Sequence, residues 1–468
     1  MADRDPVGAV PMIGGRSSGV GGPEPTGATA PSGAEPAGGA RAPVGGAAPV
    51  RQPTSGDRAR LLGLDGLRGV AASLIVVHHA ANVSGAQRSA PFTQLAAVAD
   101  VGVAVFFVLS GFVIYRPFAA AHADGAQVPE AVSFWWRRAL RVLPAYWFAL
   151  FGLWALGLNS FDSLGEVAAQ ASLTHVFSPG MAFSGISQSW SLSVELSFYA
   201  VVPLISWALR RRRAGGAAAA VSARREWAMV AALFATGYLV RLVLSLGEVT
   251  WGDSTLRGMS FLWLPTNIDL FAIGMAVAVF HARNFDGQGL TEHLRPRARA
   301  VSERLRTLSR AVGPWWLVAA ALLAAYAYAV GPADFDVGYR GWFWERRQLT
   351  YGLIGLALVF PLSWRGGRGV TRRVLASSVG VWFGAFSYGL YLWHNSWIER
   401  VGTELAQPVP GLPAFLGTGP GNVWFPATLV VGFGLGLLCG AIGWFVVEEP
   451  TQRFRSPRWL PRRSGRRR

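Results

Sequence analysis

Residues 64–80 read LDGLRGVAASLIVVHHA: one acid, one arginine, nine uncharged residues and then a pair of histidines. With its continuation to residue 86, the stretch approaches the ~20 residues that cross ~30 Å of hydrocarbon. Read as an α-helix, the eleven residues from Arg68 to His79 turn through three full circles plus about 20°, so the two side chains share one face. His78 sits about 80° from Arg68 by the same geometry, which leaves His79 as the candidate for the inward face. The rise between Arg68 and His79 is ~16 Å, placing the guanidinium at one membrane surface and the imidazole near mid-depth. An imidazole at that depth has no route to snorkel into water, and an ionisable group inside a span is a functional hypothesis by default.

Working outward, apolar stretches of similar length recur at about 93–115, 142–158, 190–209, 227–246, 260–281, 314–330, 348–363, 378–399 and 423–447. They predict an all-α polytopic membrane protein with about ten transmembrane helices. Composition points the same way, since 51% of the 468 residues are hydrophobic and 15% are charged, against roughly 25% charged in soluble domains. A soluble multidomain enzyme is excluded. The basic residues, all arginine, then test the topology. With the amino terminus in the cytosol, the inner loops hold 21 arginines and the outer loops six, as expected where positive charge stays inside. This predicts a multi-pass protein of a bacterial inner membrane with both termini cytosolic.

Residues 1–57 are rich in Gly, Ala, Pro and Ser with no apolar run, and they are expected to form a disordered cytosolic tail. Nothing in them matches the apolar core of a secretory signal. Residues 58–456 are expected to form the integral-membrane domain, and 457–468 a basic cytosolic tail. The net charge of +17 is accounted for by topology and by attraction to anionic lipid, so the bilayer is the expected partner and nucleic acid is not. Cys439 is the single cysteine, so no disulfide and no metal site is expected.

Three further ionisable residues fall inside spans. Glu195 in SQSWSLSVELSFY and His394 in SYGLYLWHNSWIER lie ~9 Å below the outer edge, and Asp269 in LPTNIDLFAIG ~13 Å below it. With His79 they make four polar groups at one level, which predicts a water-accessible cavity. For each alone the alternative is an interhelical hydrogen bond, and Arg241 and Asp100 are read that way. At the cytosolic mouth of the third span, WWRRALRVLPAY sets Arg138 and Arg141 three residues apart on neighbouring sites of one helix face. With Arg68 they form a guanidinium clamp suited to phosphate, whereas Arg137 is read as plain inside charge.

Taken together, these segments resemble the integral-membrane acyltransferase 3 family, whose members move acyl groups onto sugars, cell-wall polymers, lipids and macrolides. The matching pieces are LDGLRGVAASLIVVHH, FFVLSGFVI at 106–114, RRALRVLP at 137–144, WSLSVELSFY at 190–199, DLFAIGMAVA at 269–278, SYGLYLWH at 387–394 and FVVEEPTQRF at 445–454. They occur in the family's order. The pattern departs at Ala104, where many relatives carry an acid, and at Leu196, where they often carry a second Glu. The resemblance implies a membrane O-acyltransferase with His79 as catalytic histidine, Glu195 as the conserved acid, and Arg68, Arg138 and Arg141 on the phosphates of cytosolic acyl-CoA. Acetyl-CoA is its default donor. The acceptor would be a hydroxyl of a carbohydrate, cell-envelope polymer, glycolipid or macrolide.

In that scheme His79 acts as general base or carries the acyl group itself, and Glu195 orients the imidazole. Trp190, Asp269 and His394 are candidates for substrate binding. The rival reading is a proton-coupled transporter or exporter relaying protons through buried His, Glu and Asp. A Gly-Asp-Ser-x-Leu match at 252–256 and a His-x4-Asp spacing at His281 and Asp286 lack supporting motifs and are read as chance.

Overall fold

The computed structural model describes residues 55–86, 93–211, 221–246, 255–284, 296–330, 342–364, 369–404 and 425–454, and no strand occurs among them. The expected tails lie outside the described residues, except that the first helix begins at Ser55. Asp253, Ser254 and Asp286 of the two set-aside motifs also lie outside.

Among the described residues, ten helices are long. We label them α1 (Ser55–Val83), α2 (Val101–Asp124), α3 (Ala131–Ala155), α4 (Trp190–Arg211), α5 (Ala223–Leu246), α6 (Leu264–Asn284), α7 (Val312–Val330), α8 (Trp342–Val359), α9 (Ser378–Glu404) and α10 (Phe425–Gly443). Six segments, on α2, α4, α5, α6, α7 and α10, are long and apolar enough to cross a bilayer by length and composition. The other four carry charge that dilutes their hydropathy: DRARLLGLDGLR in α1, WWRRALR in α3, ERR in α8 and ERVGTE in α9. The protein is therefore an all-α, polytopic membrane protein.

Local chemistry sets several helix ends. The chain leaves α2 through Gly125 at φ 63°, a left-handed cap that suits a residue without a Cβ. Glu130 caps α3 by accepting from the amides of Val132 (3.1 Å) and Ser133 (2.7 Å). The Ser133 hydroxyl and amide hold its carboxyl below the usual carboxylate value. After α10 the ladder slips into a π-turn at Trp444–Glu448, a bulge often found at functional sites.

Packing between the site helices depends on small residues. A Cβ on Gly274 would lie 2.0 Å from the Val108 carbonyl oxygen, and one on Gly111 would lie 2.2 Å from that of Phe271, so α2 and α6 meet backbone to backbone. Gly389 and Gly440 do the same for α9 and α10. Apolar burial gives little drive between helices in lipid, so such close approach supplies the van der Waals contact that holds them.

Two buried polar networks fasten this frame. Arg241 of α5 makes a bidentate pair with Asp269 of α6 at 2.9 and 2.8 Å, and reaches Glu345 of α8 at 3.3 Å. Elsewhere, Glu226 of α5 accepts from Tyr115 (2.9 Å), His122 (2.9 Å) and Arg283 (2.7 Å), while the other ring nitrogen of His122 meets Ser206 at 2.8 Å.

Candidate active site

Helix α1 supplies one wall to each of two chambers. Toward its amino-terminal half, Arg68 faces a cavity of about 360 Å³ that is also lined by Arg137, Arg138, Arg141, Glu195 and Tyr199. The side chains come from α1, α3 and α4, with α2 and α9 closing the remaining sides. Arg138 lies over the rings of Phe134 and Tyr199, 5.6 and 5.8 Å from their centroids, a cation–π arrangement that fixes the guanidinium without neutralising it. A smaller cavity of about 170 Å³ shares Arg68, Arg141 and Glu195 and brings Trp444 and Glu448 of the π-turn against them.

Farther along α1, His79 faces a second chamber of about 380 Å³. Its polar lining is largely uncharged: Asn82, Gln188, Asn267 and Gln348 contribute amides, and Trp190 an indole. Its one ion pair is internally compensated, since Arg347 bonds Asp100 and Asp100 also accepts from the Tyr351 hydroxyl. The His79 ring is flanked by those of His78 and His394, with centroids 5.3 and 5.2 Å away. His78 donates from Nδ1 to the Ala97 carbonyl at 2.8 Å, which ties it to the backbone.

His394 is completely buried behind His79. Its Nδ1 donates to the Leu390 carbonyl at 3.0 Å, and its Nε2 has no hydrogen-bond partner among the described residues. It touches the His79 ring without lining the chamber, so it contacts the imidazole rather than a ligand there.

Several expectations require correction. Glu195 does not orient His79: it lies in the arginine chamber, where it accepts from the Ser110 hydroxyl at 2.6 Å and from that of Tyr199. Asp269 lines neither chamber and is held in the ion pair with Arg241. Both errors have one cause, because position along one helix fixes neither the direction in which a side chain leaves the axis nor which part of a neighbouring helix it meets. Arg137, read as plain inside charge, lines the arginine chamber, and Asp100 lines the histidine chamber as well as making its hydrogen bond. Arg68, Arg138 and Arg141 converge as expected, and Trp190 shares the chamber of His79.

Ser110, Tyr199, Tyr391, Asn267 and Gln348 were missed. All are uncharged near neutral pH, and a search for acids, arginines and histidines inside spans passes over them. Tyr199 alone carried a readable signal, lying four residues after Glu195 and hence on the same helix face.

Comparison with known proteins bears on what these chambers serve. A family model described as an acyltransferase domain matches residues 61–445. A Bacillus subtilis protein provisionally named peptidoglycan O-acetyltransferase YrhL is 27% identical over 157 residues, covering 30% of this chain and 23% of its own length. A Komagataeibacter xylinus protein, provisionally named membrane-bound transacylase BcsY, is 30% identical over 154 residues, which is 30% of this chain and 35% of that one. The exopolysaccharide production protein ExoZ of Rhizobium meliloti is 26% identical over 364 residues, 76% of this chain and 90% of that protein. The chain thus spans about a quarter and a third of the first two relatives, and nearly all of the third. No solved structure matches it.

Proposed function

The chain belongs to the acyltransferase-domain family, and from that premise we propose that it transfers an acyl group, acetyl by default, from cytosolic acyl-CoA to an acceptor hydroxyl. The observation that supports this reading is the pairing of chambers on one helix: four arginines line the first, and the His79 imidazole faces the second. Guanidinium groups bind phosphate oxygens bidentately, so Arg68, Arg138 and Arg141 take the phosphates of coenzyme A. The ~16 Å rise from Arg68 to His79 is bridged by the pantetheine arm, which carries the thioester toward the imidazole.

At His79 the acceptor O–H gives its proton to the imidazole as oxygen attacks the thioester carbonyl. The C–O bond forms, the C–S bond breaks, and the departing thiolate takes up the proton from the imidazolium. An acyl-imidazole route uses the same groups in two steps. The amides and indole of the histidine chamber suit a neutral, polyhydroxylated acceptor. Relatives named for peptidoglycan O-acetylation and exopolysaccharide production favour a cell-envelope carbohydrate. The arginine excess on inner loops supports a bacterial inner-membrane location with both termini cytosolic.

The test is release of free coenzyme A from acetyl-CoA by membranes containing the full chain, with His79→Ala as control. Release that depends on His79 is expected. Release that is absent, or indifferent to His79, overturns the reading and returns the transporter alternative, which requires proton flux rather than coenzyme A release.

A further inference from the structure

The two chambers meet at three side chains, because Val103, Phe107 and Tyr391 line both. We infer that these three form a neck through which the acyl thioester reaches His79, and that the neck selects acyl groups by cross-section rather than by length. The inference rests on the acyl-CoA reading above.

Two of the three walls are fixed. The Phe107 ring stacks on Phe271 at a centroid distance of 4.7 Å, and Phe271 stacks in turn on Phe198 at 4.2 Å. Trp190 meets Phe107 edge to face at 6.3 Å. Tyr391 is pinned at its hydroxyl, which donates to the Gln188 carbonyl at 2.7 Å and lies 2.6 Å from the Ser191 hydroxyl. Its ring is also braced by Phe106 and His394. Neither ring can swing aside without breaking several contacts in a closely packed interior.

Val103 is the third wall. It lies four residues before Phe107 on α2, so the two share a helix face, and it is only partly buried. A valine in a helix is confined largely to one χ1 rotamer, which holds its two methyl groups at a set position in the bore. A straight acyl chain presents the same width whatever its length, and the chamber beyond, about 380 Å³, has room for its end. A branch at the α-carbon widens the group where it must pass the neck. The protein therefore uses unbranched acyl groups and rejects α-branched ones.

Butyryl-CoA and isobutyryl-CoA test this directly, since they are isomers of equal carbon count, one straight and one branched at the α-carbon. With the full chain in membranes, coenzyme A release should favour butyryl over isobutyryl by about tenfold or more, the range expected of one carbon misplaced in a rigid apolar slot. Val103→Ala should raise the isobutyryl-to-butyryl ratio by about tenfold. A ratio is independent of how much variant folds, so reduced yield does not blur the result. Val103→Phe should stop transfer from both donors while radiolabelled coenzyme A still binds. An unchanged ratio in Val103→Ala, in a protein that does release coenzyme A, overturns the neck and leaves the acyltransferase reading intact. Wild-type protein that releases no coenzyme A from any acyl donor overturns both.

Discussion

The arginine chamber and the histidine chamber share a helix yet differ in kind. In the first, Arg68, Arg137, Arg138 and Arg141 face Asp65 and Glu195, so positive charge is in excess. In the second, Arg347 and Asp100 satisfy each other and the remaining polar groups are amides, hydroxyls and rings. A chamber with surplus guanidinium is built to receive an anion, because only an incoming negative charge completes its electrostatics. A chamber whose charges are already paired offers hydrogen bonds and two imidazoles, of which that of His78 is tied to the Ala97 carbonyl. On the function proposed above, the difference separates holding a charged handle from doing chemistry on a neutral group.

Four substitutions break or sharpen this contrast. His79→Ala should lower turnover by about 10²- to 10⁴-fold, the usual contribution of a positioned acid–base group, with donor binding retained. This is read by coenzyme A release alongside a binding assay. Asp269→Asn, outside both chambers, should act on stability instead: breaking a buried pair costs about 3–5 kcal/mol. Its thermal transition should drop while the KM for acetyl-CoA in the surviving fraction stays put. A changed donor KM would return Asp269 to the site.

Arg138→Ala should raise the KM for the acyl donor by about 10- to 100-fold, in line with ~1.5–3 kcal/mol for a charged hydrogen bond. The KM for a hydroxyl acceptor should not follow it. Equal shifts in the two would erase the distinction between the chambers. The smallest effect belongs to His78→Ala. It removes one hydrogen bond to the Ala97 carbonyl, worth about 1 kcal/mol, and should leave turnover within several-fold of the parent. Activity as low as that of His79→Ala would mean that the wrong histidine has been assigned.

Hydrophobic runs made the fold legible, since a chain in lipid must satisfy its backbone within each helix, and each expected span overlaps a long helix of the structure. The Arg68 to His79 spacing was legible for the same reason, because both residues sit on one rigid rod. Relations between rods were not. Asp269 and Glu195 were grouped with His79 from their positions along their own helices, yet Glu195 sits in the arginine chamber and the partner of Asp269 lies on another helix, 28 residues away in the chain. The division into two chambers was equally hidden, as its walls at Phe107 and Tyr391 read in sequence as ordinary apolar and aromatic positions.

The π-turn at Trp444–Glu448 carries its own consequence for how this protein tolerates length changes. A π-turn spends five residues where an α-helix spends about four, so deleting a single residue there would let the ladder rewind to a regular α-helix and leave the chain downstream close to its present orientation. The bulge that sets Glu448 against Arg68 and Arg141 would flatten, while the Phe454 carbonyl would keep the Trp136 indole that donates to it at 3.0 Å. The same deletion made within the regular turns of Phe425–Gly443 would carry everything beyond it about 100° around the axis, a key turned in a lock.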